Sequence, residues 1–185
     1  MYDSKMNSDL QYLIAHGNRK AFDRFYHLYY EQVFRFAFYF LKDKDACSEV
    51  LTNVFLSIWK SRDKFAEVIN VETYLYVATK NEVTRYLKNN IRQQHVSIDE
   101  IPLQFDISDD PSPENQLLTK ELEILLSRTV AELPEKSRLV FLMVRQEGLK
   151  PKEIAQILSI SENTVRVQLK IATDKIVEKL KSYLE

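Results

Sequence analysis

Apolar residues recur at three- and four-residue intervals along most of the chain, the period of an amphipathic helix and not of a strand. The pattern predicts a short helix over about 8–15 and a long one over 18–41, with Phe22, Phe25, Tyr29, Val33, Phe36 and Phe40 at helical spacing. The rings from Phe25 to Phe40 read as core packing on one broad face, not as a stacking surface. After a turn at LKDKD (41–45), a helix over about 46–61 is expected to bury Leu51, Val54, Phe55 and Ile58. The polar stretch KSRDKFAEVIN (60–70) reads as a loop, leading to a helix over about 71–90.

The periodicity then fails. VSIDEIPLQFDISDDPSPENQ (96–116) carries three of the five prolines and four aspartates, with irregularly spaced apolar residues. A linker is the simplest reading. The expectation is an all-α protein of two small helical domains, 1–92 and 114–185, joined by an acidic flexible linker over 93–113.

In the second domain a helix over about 114–131 runs into ELPEKSRLVFLMV, where Pro134 suits the first turn of the next helix and Gly148 its end. Then comes LKPKEIAQILSISENTVRVQL (149–169), which reads as a helix-turn-helix. Pro151 opens the first helix, 159–161 makes the turn, and Ser161 caps the second helix with Glu162 at its positive end. Ile154, Leu158, Ile160, Val165, Leu169, Ala172, Ile176 and Leu180 form the expected buried seam. Asn163, Thr164, Arg166, Val167 and Lys170 remain outward. Amide, hydroxyl and guanidinium donors near a helix N-terminus, with a methyl-bearing side chain among them, suit the edges of bases in a major groove. An ordinary helical hairpin with a solvated face is the plainer alternative.

Charge sharpens this picture. The net charge of −1 hides +3 over residues 1–95, −6 over 96–115 and +2 over 116–185. The acidity therefore sits in the linker, and the flanking domains are mildly basic. Only two glycines occur in 185 residues, which again favours helices. One cysteine, Cys47, excludes an internal disulfide framework and a CxxC metal site. His16, His27 and His95 are scattered, and no phosphate-binding glycine loop or nucleophile elbow occurs, so neither an enzyme nor a cofactor is expected. The N-terminal stretch lacks a signal-peptide profile, and VFRFAFYFL (33–41) is too short to span a bilayer. The expectation is a cytoplasmic protein without membrane insertion.

LPEKSRLVFLMVRQEGLKPKEIAQILSISENTVRVQLKIATDKIVEKL (133–180) resembles the C-terminal domain of the extracytoplasmic-function sigma factors of the sigma-70 family. AF-x-x-FY-x-x-YY (21–30), ACSEVLTNVFLSIW (46–59) and NVETYLYVATKNEVTRYLKN (70–89) resemble its other half, in the same order. The resemblance implies a bacterial initiation factor that binds core RNA polymerase and directs it to promoter DNA. It implies minus-thirty-five recognition by Asn163, Thr164, Arg166, Val167 and Lys170. It implies minus-ten recognition and melting by the loop 60–70 and the helix after it, with Lys60, Arg62, Lys64, Lys80, Asn81, Arg85 and Lys88 as candidates. Polymerase binding falls to Glu49, Thr52, Asn53 and Leu56. The linker would pass through the nucleic-acid channel of polymerase as a polyanion, and an anti-sigma factor would hold the protein inactive. It would be a monomer when free.

Departures from the family pattern accompany the matches. Aspartate and glutamine are usual where Glu49 and Thr52 stand, glycine where Ser159 stands, and arginines near Ile171 and Thr173. Fewer cations weaken phosphate anchoring. The main competing reading is a dimeric helix-turn-helix regulator with an unrelated helical N-terminal domain, which would bind a palindromic site. A pure interaction module is a third. We expect the chain alone to bind its promoter element weakly, and a gel shift at physiological salt checks this.

Overall fold

A computed structural model describes residues 4–90 and 113–184. They fall into two compact units divided after Ser97. That division and most of the expected linker, 93–112, lie outside the described residues. Among the described residues every regular element is a helix, and no helix is long and apolar enough to cross a membrane.

The first unit contains α1 (Ser4–Ala15), α2 (Arg19–Leu41), α3 (Lys44–Lys60), α4 (Arg62–Phe65) and α5 (Val71–Asn90). Short polar caps set these boundaries. Gly17 takes a left-handed φ of 78° between α1 and α2, and the Asn18 side chain then accepts from the Ala21 N–H at 3.1 Å. Lys42, also left-handed, ends α2, and Asp43 caps α3 by accepting from Ala46 N–H at 2.9 Å. α2 packs against both α3 and α5. Leu51, Val54, Phe55 and Ile58 are buried on α3, as their spacing predicts. Cys47 is buried beside them, and burial, with Asp43 adding to it, pushes its thiol up to about 12.

The rings of α2 divide into two rows. Phe25, Tyr29 and Phe36 are buried core, as expected. Phe22, Tyr26, Tyr30, Phe34 and Phe38 are only partly buried. The last four form a ladder along one side, with 5.1 Å between the Tyr26 and Tyr30 centroids and 5.8 Å between Tyr30 and Phe34. Rings at both three- and four-residue offsets cover a wider arc than one neighbouring helix can bury. The expected loop 60–70 also holds a helical turn, α4. Burial of Phe65 against Phe25, 5.1 Å between centroids, organises that turn. A single turn is too short to show as periodicity.

The second unit contains α6 (Pro113–Ala131), α7 (Glu135–Arg145), α8 (Pro151–Leu158) and α9 (Glu162–Leu184). α9 packs on all three others, burying Val165, Ala172 and Ile176. Arg138 is buried and donates to the Ala131 carbonyl at 2.8 Å, where the end of α6 carries partial negative charge. Several expectations shift here, and Leu169 and Leu180 of the expected buried seam are only half-buried. Pro134 is the N-cap of α7, with ψ at 138°, and not a residue of its first turn. On α8 the buried partner of Ile154 is Ile157, while Leu158 is half-buried and Ile160 exposed. The left-handed backbone of Ser159, φ 57° and ψ 45°, ends α8 and turns Ile160 away from the core.

Among the described residues of this unit, Ser159 has the one left-handed φ not taken by glycine. That conformation costs an L-residue on the order of 1 kcal/mol. Ser159→Gly is expected to raise thermal stability by about 0.5–1 kcal/mol after the entropy of the unfolded chain is counted. Paired melting curves check it.

Candidate polymerase and nucleic-acid interface

α9 begins on a well-formed cap. The Ser161 hydroxyl accepts from the Thr164 N–H at 3.0 Å and lies 2.8 Å from the Thr164 hydroxyl. Upstream, the Glu153 carboxylate accepts from the Lys150 N–H at 2.8 Å, with Pro151 in the first turn of α8. Ser137 donates to Gln168 at 2.7 Å and ties α9 to α7. These bonds fix which side of α9 faces outward. Asn163, Thr164, Arg166, Val167 and Lys170 are all exposed together on that helix. Ile171 is exposed with them. The Thr164 hydroxyl is shared with the cap, so this side chain is less available for base contacts than the other four.

The electrostatics of this face differ from a simple cationic one. Arg166 pairs with Glu162 at 2.6 Å, and Lys170 pairs with Asp174 at 2.7 Å. Both are exposed pairs one helical turn apart. Each is worth a few tenths of a kcal/mol, roughly, and is easily exchanged for a phosphate. The two carboxylates nevertheless offset both cations of the face.

The four candidate polymerase contacts lie on α3, opposite its buried stripe. Glu49, Thr52 and Leu56 are exposed, and Asn53 is half-buried. The Thr52 hydroxyl donates to the Ser48 carbonyl at 2.8 Å, so its donor is already used.

The minus-ten candidates occupy two stretches. Lys60 and Lys64 are exposed at the end of α3 and in α4. Arg62 is different, because its guanidinium stacks on Trp59 at 5.1 Å and donates to the Trp59 carbonyl at 3.0 Å. It is half-buried and serves the α3–α4 corner. On α5, Asn81, Arg85 and Lys88 are exposed along one face, and Lys80 is half-buried. Arg85 pairs with Glu82.

Sequence reasoning missed two residues around this loop. Ile69 is fully exposed, at 101%. Gln11, on α1, is buried and donates to the Phe65 and Val68 carbonyls at 3.0 and 2.8 Å. A polar residue within the apolar pattern of α1 was the available signal for Gln11. Ile69 carried none, because one isoleucine beside Val68 looks like core. Among the described residues no cluster of side chains could hold a metal ion.

The offset charge on α9 leads to a prediction. Glu162→Gln and Asp174→Asn are each expected to tighten duplex binding about two- to fivefold at about 0.1 M salt, with a steeper salt dependence. Salt-titrated fluorescence anisotropy of promoter DNA checks both.

Comparison with known proteins shows the family. The family model for sigma-70 region 2 matches residues 25–93, and that for sigma-70 region 4 matches residues 123–173. Together they span more than half of the chain. The ECF RNA polymerase sigma-E factor of Escherichia coli (strain K12) is 27% identical over 173 residues, covering 90% of each chain. The sigma-E factor of Haemophilus influenzae is 25% identical, covering 90% of this chain and 91% of its own. Among solved structures, CnrH in complex with the cytosolic domain of CnrY superposes with a TM-score of 0.61 at 17% identity, over 96% of this chain and 98% of that one. The sigma factor RpoE of Bartonella quintana, solved with the anti-sigma factor NepR, gives 0.58 at 16% identity, over 88% and 98%. The chain belongs to the extracytoplasmic-function group of the sigma-70 family, and it is an alternative sigma factor that directs transcription initiation.

Proposed function

We propose that the exposed face of α3 docks on core RNA polymerase, and that the two units divide promoter recognition between them. Leu56 supplies the apolar centre of the α3 contact, with Glu49, Thr52 and Asn53 around it. The outward face of α9 reads the minus-thirty-five element. Asn163 and Arg166 offer donors to base edges there, and Val167 offers methyl groups to thymine. The 60–70 stretch and α5 engage the minus-ten element, with Lys60, Lys64, Asn81, Arg85 and Lys88 as contacts and Arg62 and Lys80 in supporting places.

The observation that carries this reading is the exposed face of α9, whose cations are offset by Glu162 and Asp174. Such a face favours specificity over capture, so polymerase must bring the protein to DNA. We further infer that the protein works in the cytoplasm and that an anti-sigma factor covers one or both faces. NepR in the RpoE structure supports such a partner.

Run-off transcription with core polymerase is the direct test. Promoter-specific transcripts are expected with the intact chain. Leu56→Asp is expected to weaken polymerase binding by about tenfold or more, the value of one buried leucine. Tight symmetric binding to a palindrome without polymerase association would instead support a dimeric regulator.

A further inference from the structure

α1 packs against α2 and α4, with Leu10 and Ile14 buried in the core of the unit. Just past its end, a β-carbon added to Gly17 would stand 3.9 Å from Arg62 Nε, so the α1–α2 corner meets the side chain that opens α4. Gln11 lies on the same helix and is 8% exposed. Its amide donates to the Phe65 carbonyl at 3.0 Å and to the Val68 carbonyl at 2.8 Å, more than fifty residues further along the chain.

An apolar side chain would fill this buried position more easily. Glutamine loses more rotamer freedom on burial, and its amide must find partners there. Two neutral hydrogen bonds bring little net stability against those losses. What they add is geometry. Carbonyls in a segment between helices ordinarily turn to water. Here one amide spans two of them, three residues apart, while Val68 N–H closes the turn on the Phe65 carbonyl at 3.2 Å. Downstream, the Asn70 side chain accepts from Thr73 N–H at 2.9 Å and starts α5. The stretch is therefore held by α1 at one point and by α5 at its end before any partner arrives. Gln11 lies outside the region-2 match, which begins at residue 25.

We propose that Gln11 is a positioning residue for promoter opening: through the Phe65 and Val68 carbonyls it keeps the 60–70 stretch in its binding shape in the free protein. This rests on the reading of that stretch as the minus-ten contact. A segment that must order itself on binding loses part of the binding energy to that ordering, and one already held in shape does not. A small displacement of positioned groups is enough to slow the step in which they act. Gln11 itself touches no DNA. Its influence falls on the step at which the minus-ten element is engaged. Polymerase docking by α3 and the minus-thirty-five contact by α9 use other elements and are left as they are.

The test uses holoenzyme on a promoter mapped from its own start site. The rate of open-complex formation, followed against holoenzyme concentration, separates the initial binding constant from the limiting rate of opening. Gln11→Met keeps the length and the packing but has no donor. It is expected to lower the limiting rate about five- to tenfold, with initial binding and polymerase affinity unchanged. Hydrogen exchange on the free chain is expected to run about tenfold faster across 61–70 in this variant, and unchanged in α2 and α3. If Gln11→Met melts too low to compare, Gln11→Asn, one methylene shorter, is measured at a temperature where it is fully folded. An unchanged opening rate overturns the proposal, and so does unchanged exchange across 61–70. Losses shared by initial binding, opening and exchange throughout the unit make Gln11 a stability residue and overturn it as well. A benzoylphenylalanine at the exposed position of Glu67 tests the underlying reading separately. Crosslinks to minus-ten strands in the open complex keep that reading however Gln11→Met behaves, and crosslinks to polymerase alone remove both.

Discussion

Phe25 is the point on which the first unit depends. Its ring lies 5.0 Å from Tyr29, 6.0 Å from Phe55 and 5.1 Å from Phe65. One side chain of α2 therefore joins α3 and α4 to the same core. With Phe55 turned inward, the helical period of α3 turns Glu49, Thr52 and Leu56 outward. With Phe65 drawn in, the chain after it must turn back toward α5, and the turn throws Ile69 outside. The faces available to partners are thus consequences of ring packing within the unit.

The second unit solves a different problem. α9 must bury one side on α6, α7 and α8 and leave the other free. Val165, Ala172 and Ile176 supply the buried side, while Ser137 on Gln168 and Arg138 on the end of α6 satisfy the polar groups beneath it. The free side carries charge in balanced pairs. A sigma factor gains from such balance, since strong phosphate attraction would hold it on DNA away from polymerase. On the proposed reading, affinity comes from the assembly and this helix contributes direction.

The helices were legible in the chain to within a few residues, because burial at helical period leaves a strong imprint. The exposed residues of α3 and α9 were legible for the same reason: once the buried positions are assigned, the outward ones follow. Short features were not. α4 is one turn, Pro134 moved from first turn to cap, and Ile157 rather than Leu158 fills the groove beside Ile154. Each turns on local backbone angles that periodicity does not encode. The partly buried second row of rings on α2 was hidden as well, because composition does not say how wide an arc its neighbours cover.

By itself the sequence determined the all-α class, the two helical stretches around an acidic segment, and the family, since these reside in residue spacing and local order. The partners of Arg166 and Lys170, carboxylates one turn away, and of Arg62, which lies on Trp59, already stand at helical spacing in the sequence. Tertiary structure alone decided that Gln11 belongs to a segment more than fifty residues later in the chain and that Ser137 meets Gln168. The physical reason is that hydrogen bonds and ion pairs act over a few ångströms in space. Separation along the chain does not record that distance until the helices are packed.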